Sequence, residues 1–166
     1  MTNGLTVDVT ISDAAWTAQL PEAAAMAREA SRAAWRAVAP AGADGAELSL
    51  LLADDAAVRD LNRAHRGQDR PTNVLSFSLG TPSSPDGVPT LLGDVVLASG
   101  VVSREAKDQG KPLAAHFRHL VVHGVLHLAG FDHETRPDAD AMEALEVEIL
   151  AGLGVSDPYR DQAVVS

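Results

Sequence analysis

The sequence predicts a single domain of α+β or mixed α/β class. The chain has 166 residues, one domain's length, and can bury a sizeable core without a disulfide or metal staple. Segments that alternate apolar and polar residues are interleaved with segments of helical period along the chain. Hydrophobic residues make up 46% and charged residues 22%, the balance of a globular protein.

Leu5-Thr6-Val7-Asp8-Val9-Thr10-Ile11 alternates strictly and predicts a half-buried strand. Pro21 opens an Ala-rich amphipathic helix to about Val38, broken by Ala39-Pro40-Ala41-Gly42. Residues 47–52 predict a second strand. Asp54 then caps a helix through about Arg66, because its carboxylate can accept orphan backbone N–H groups. Residues 73–78 are extended, and 80–89, with three prolines and two glycines, form a loop. A fourth strand covers 91–98, around Gly93-Asp94; Asp94 needs a partner if buried. A helix follows to about Gln109, stopped by Gly110, and Pro112 opens the next, which runs to Gly130. The last helix starts at Pro137-Asp138 with Met142, Leu145, Val147 and Leu150 inward, and ends near Gly154. From about Ser156 the chain is expected to fray, within one domain spanning 1–166.

Composition excludes several chemistries. With no cysteine there is no thiol nucleophile and no Cys-ligated metal. No apolar run reaches the ~18 residues of a membrane span, and the first residues lack a secretory signal's basic and apolar regions. A cytoplasmic protein is expected. Thirteen basic and 23 acidic residues give a net charge of −10, which argues against broad electrostatic binding of nucleic acid. Two Trp, one Tyr and three Phe are too few for a base-stacking platform. Work on RNA would need a local basic groove, or a partner that presents the substrate.

Five of the six histidines fall between positions 116 and 133: His116, His119, His123, His127 and His133. On a helix, His119, His123 and His127 form an i,i+4 row, with neighbours about 6 Å apart along the axis. One metal can take His123 and His127 but not three in a row. Gly130 lets the chain leave by the left-handed route, so that His133 can return over the helix end. The string from His123 to His133 matches the metzincin pattern H-E-x-x-H-x-x-G-x-x-H at its three histidines and its glycine. It departs at Gly124, where those peptidases carry the glutamate base. Three imidazoles with an open fourth position suit a catalytic zinc, one per chain. His116 and His119 are either supports of that site or ordinary helix histidines. Asp132 either orients an imidazole or caps the turn.

The string His123-Gly124-Val125-Leu126-His127-Leu128-Ala129-Gly130-Phe131-Asp132-His133 resembles the YbeY family, bacterial rRNA maturation factors and single-strand-specific endoribonucleases. The block from Leu61 to Phe77, the Leu92-Gly93-Asp94-Val95-Val96 strand and the Met142-Glu143-Ala144-Leu145-Glu146 helix fit in order and spacing. The resemblance covers the chain from about Leu5 to Tyr159. It implies an α+β fold with a small, mostly parallel four-stranded sheet covered by helices. It implies His123, His127 and His133 as zinc ligands and Arg66 as an arginine used in RNA cleavage. It implies 16S rRNA 3′-end maturation and ribosome quality control, with rRNA, the small ribosomal subunit, and a small-subunit protein or assembly GTPase as partners. His65 stands where the family has tyrosine, and Ser78 where it has proline.

Read from its surroundings alone, Arg66 is a helix-end surface arginine before a Gly67-Gln68-Asp69-Arg70 turn, and Asp69 and Arg70 are turn residues. A guanidinium beside a metal can nonetheless bind phosphate in bidentate fashion and stabilise a phosphorane-like transition state. Gly124 removes the base that amide hydrolysis needs, so a metallopeptidase is disfavoured. Asp132 and Glu134 are candidates for the missing base. Two readings follow: a zinc-dependent endoribonuclease with His123 and Arg66 at its centre, or a ribosome-assembly binding factor whose metal is chiefly structural.

Overall fold

A computed structural model describes residues 4–39, 45–79, 90–132 and 134–159. The predicted 80–89 loop and His133 lie outside them. The elements run β1 (Leu5–Ile11), α1 (Ala15–Gln19), α2 (Ala23–Val38), β2 (Ala46–Ala53), α3 (Asp55–Arg66), β3 (Val74–Ser78), β4 (Thr90–Ala98), α4 (Ser99–Asp108), α5 (Leu113–Leu128) and α6 (Arg136–Gly152). The class is α+β, as predicted.

The four strands form one sheet in the order β1-β2-β4-β3. β1 pairs with β2, and β2 with β4, in parallel, while β3 adds an antiparallel edge. Each parallel step requires a crossover, and α2 supplies the first between β1 and β2. The alternation in β1 sends Leu5 and Val7 into the core and Thr6 and Asp8 to solvent. Arg28 and Arg32 of α2 donate to the carbonyls of Val7 and Leu5, at 3.3 and 3.2 Å. They occupy backbone acceptors of an edge strand that would otherwise invite another chain.

The main core lies between one sheet face and helices α2, α5 and α6, with Leu50, Leu52, Val95, Leu97, Phe117, Val121, Leu126 and Leu150 at its centre. A smaller cluster on the other face joins Val58 of α3 to Leu75, Val96 and Ala98. α5 is buried nearly all round, from Phe117 to Leu128, as a helix central to the fold must be. Its valines are poor helix formers held there by packing.

Three features differ from the sequence reading, and the condition set for Asp94 does not arise. α1 was not predicted; its five residues are too short to show a period, and they are fixed by buried Trp16, whose indole donates to Ala53 O at 2.9 Å and meets Phe117 at 5.2 Å. Asp94 is exposed and needs no buried partner. On α6 the buried row is Met142, Glu146, Ile149 and Leu150; Leu145 and Val147 are only half-buried. The segment beyond Ser156 is docked as far as Tyr159, with Lys111 Nζ donating to Pro158 O at 2.8 Å.

Gly93 lets β3 and β4 pair. It sits at φ 137°, and a Cβ there would lie 2.0 Å from Phe77 O. Gly93→Ala must therefore bend the β3–β4 ladder. It is expected to cost about 3 kcal/mol or more, read as a lowered midpoint in urea unfolding. A midpoint within error of the parent would refute this account of the pairing.

Candidate active site

α5 brings the histidines together. His123 and His127 sit one turn apart with ring centroids 4.6 Å from each other. Just beyond them the helix ends in a two-bond motif: Gly130 N–H donates to His127 O and Phe131 N–H to Leu126 O, both at 3.0 Å. This Schellman arrangement requires the left-handed residue that Gly130 provides at φ 107°. The chain thus turns off the helix where the sequence predicts it.

A cleft of about 580 Å³ opens beside this pair, lined by His123, His127, Arg66, Arg70, Asp132 and Glu134 among others. Arg66 reaches it from the end of α3. Its Nη2 donates to Ser76 O of β3 at 2.9 Å, and its guanidinium lies 5.8 Å from the Phe77 ring centroid, within cation–π range. His65 packs on the same ring at 4.9 Å, as a wall of the adjoining sheet face. Ser76 is the link between elements. Its carbonyl accepts from Arg66 and its hydroxyl donates to Gly124 O at 3.3 Å. Arg70, read from sequence as a turn residue, also lines the cleft, and the Asn62 amide fixes its turn through Arg70 O at 2.9 Å. Asp132 accepts from Glu134 N–H at 3.3 Å, a turn role, while both residues face the cleft.

The remaining helix histidines are neither idle nor exposed. His116, 4% exposed, bonds through Nε2 to Glu105 at 2.9 Å. His119 bonds through Nε2 to Glu146 at 2.7 Å, and His123 through Nδ1 to the other oxygen of Glu146 at 2.8 Å. Glu146 is fully buried. Burial alone would raise its carboxyl, but hydrogen bonds from His119, His123 and Tyr159 outweigh burial and hold it down to about 2. Burial first, then the adjacent Glu146 carboxylate, pushes the Tyr159 phenol well above its usual range, so it stays protonated and donates. Sequence reading missed both residues: a glutamate is not scored as core, and Tyr159 sits in a segment expected to fray.

The donors fit a zinc ion. His123 carries its proton on Nδ1 toward a carboxylate, which puts the lone pair on Nε2, the arrangement common to histidine metal ligands. No group of three potential ligands is assembled among the described residues, and His133 lies outside them.

Gly124 has a packing reason. A Cβ there would lie 2.8 Å from Val95 Cγ1 and 3.3 Å from Ser76 Oγ. The position that bears a base in metzincins here faces the sheet, and a glutamate does not fit.

The structure is an α+β domain with a histidine and arginine cleft beside its central helix. Residues 8–154 match the model of the family described as Endoribonuclease YbeY. The protein of that name from Paramagnetospirillum magneticum is 52% identical over 166 residues, 98% of this chain and 100% of the relative. The one from Azorhizobium caulinodans is 51% identical over 154 residues, 92% of this chain and 95% of the relative. The chain belongs to the YbeY family. Its fold also matches the solution structure of a Thermotoga maritima protein, with TM-score 0.54 and 21% identity, covering 92% of this chain and 98% of that one.

Gly124→Ala should destabilise by about 1–2 kcal/mol: overpacking against Val95 outweighs the ~1 kcal/mol that alanine gains in a helix. In a Val95→Ala background the same change should be neutral or stabilising. Equal effects in the two backgrounds, measured by urea unfolding, would rule out the contact as the cause.

Proposed function

We propose that this protein is a zinc-dependent, single-strand-specific endoribonuclease that matures rRNA in the cytoplasm, acting at the 16S rRNA 3′ end and in ribosome quality control. The observation that carries the reading is the meeting of Arg66 with His123 and His127 in one cleft. The relatives' name, endoribonuclease, supports the reaction class.

His123, His127 and His133 would hold one zinc per chain. When bound, zinc supplies Lewis acidity toward a phosphoryl oxygen or a water. The chain's own residues do the rest. Arg66 binds a substrate phosphate: one of its N–H groups is committed to Ser76 O, and among the described residues its others have no hydrogen-bond partner. Those donors suit a bidentate contact that strengthens as charge builds on the phosphate oxygens. Anchoring by Ser76 and Phe77 fixes the direction from which that contact is made. Arg70 adds a second positive charge to the wall. The absence of a glutamate at position 124 separates this site from peptidases. In RNA the neighbouring 2′-hydroxyl is an internal nucleophile: its oxygen bonds to phosphorus as the P–O5′ bond breaks, its proton passes to a base, and the 5′-oxygen leaves protonated. Asp132 and Glu134 in the cleft are the candidate proton carriers in place of a glutamate at position 124.

A net charge of −10 confines attraction for RNA to this cleft. That supports a substrate presented on the small ribosomal subunit, with a small-subunit protein or an assembly GTPase as the presenting partner.

The test is cleavage of a structured rRNA fragment by protein purified free of other nucleases, with and without chelator. Chelation should abolish cleavage and zinc should restore it. Arg66→Ala should lower the rate by about 10²–10³ with zinc content and unfolding midpoint retained, and Arg66→Lys should recover only part. Normal cleavage by Arg66→Ala would remove Arg66 from the mechanism. Bound zinc without metal-dependent cleavage would leave a ribosome-assembly binding factor.

A further inference from the structure

We propose that Glu146 and Tyr159 form a latch that positions His123 for metal binding, making the chain's C-terminal segment part of the metal centre. The inference rests on the reading of His123 as a ligand.

Glu146 is 0% exposed, and its side chain accepts from three donors on two separate parts of the chain. Oε2 accepts from His123 Nδ1 at 2.8 Å, and Oε1 accepts from His119 Nε2 at 2.7 Å and from the Tyr159 hydroxyl. A carboxylate only accepts, so each histidine must place its proton on the nitrogen facing Glu146. His119 and His123 therefore hold opposite tautomers on the same helix. His119 and His116 use Nε2 toward a carboxylate, and their buried Nδ1 atoms have no hydrogen-bond partner among the described residues. Of these three, His123 uses Nδ1, which puts the lone pair a metal needs on Nε2.

Tyr159 supplies what a single carboxylate–histidine bond lacks. The two carboxylate oxygens share a plane, so two donors on Oε1 fix the rotation that places Oε2 at His123. Tyr159 is itself held. Its ring meets the His119 ring edge-on at 5.3 Å, Lys111 ties down Pro158 O, and Val155, four residues earlier, is buried. Neither Glu146 nor Tyr159 lines the cleft that holds Arg66. Their part is to position His123, and they touch no substrate.

Full-length Glu146→Gln and Tyr159→Phe test this. The amide of Glu146→Gln has one accepting oxygen and one donating nitrogen, so it cannot accept from both sides. Zinc affinity is read by competition with a chromophoric chelator. The His123 tautomer is read by ¹⁵N NMR of metal-free protein, and stability by unfolding in chelator. Glu146→Gln should lose about 10–100-fold in zinc affinity and move His123 toward the Nε2–H tautomer. Tyr159→Phe should lose less, in the same direction, with its metal-free unfolding midpoint kept. Should Glu146→Gln fail to fold, Tyr159→Phe decides alone. Zinc affinity equal to the parent's in the folded variants overturns the latch while leaving the metal reading intact. So does a loss in Tyr159→Phe that only tracks lowered metal-free stability. A parent protein that takes up no zinc overturns the metal reading and the latch together.

Discussion

Helix α5 lies so close to β4 that position 124 has no room for a Cβ, and the rest of the site follows from that approach. The contact sets the rotation of α5 about its own axis. With Gly124 turned to the sheet, His123 and His127 are set at the edge of the helix that borders β3, where the cleft opens. Farther along, Leu128 packs against Gly93, so the same helix also rests on the point where β3 and β4 pair most tightly. Interiors packed this densely transmit small displacements instead of absorbing them. The position of the histidine pair is thus determined by the sheet and not by the loop that follows it.

Burying Glu146 on α6 is the second structural commitment. An ionised carboxylate removed from water costs several kcal/mol unless its oxygens are satisfied. Here two α5 histidines and one tyrosine satisfy it, and the same bonds join α6 and the C-terminal segment to α5. Polar atoms in a core have few acceptable arrangements, so such a network fixes geometry more strictly than apolar contacts would.

Much of the fold was legible in the residues. Period-two alternation gave the boundaries of β1, and the Asp54 cap, whose Oδ1 accepts Ala57 N–H at 2.8 Å, marked the start of α3. Histidine spacing put His123 and His127 on one face, and Gly130 predicted the turn after them. What escaped has physical causes. The α6 row was misphased because Glu146 occupies a core position, and hydrophobic periodicity scores a glutamate as surface. The docking of Tyr159 depends on contacts with residues far away in the chain. Arg66 looked like a solvated helix end because nothing local shows that Ser76 O lies beside it.

The arginines of α3 differ in one respect. Arg59 is paired with Asp69 at 2.7 Å and Arg63 with Asp60 at 3.2 Å, whereas Arg66 is held by a neutral carbonyl. Two of these cations are cancelled on the spot, and the third keeps its full charge at the cleft mouth. For any polyanion the result is a two-range potential. Beyond about a Debye length, ~8 Å in physiological salt, the acidic excess is largely screened; nearer the surface it repels, while the cleft mouth beside Arg66 attracts. Added salt weakens both the repulsion and the attraction. Under the proposed function, selectivity would rest with whatever delivers the strand to the entrance, a kinetic filter against RNA that merely drifts past.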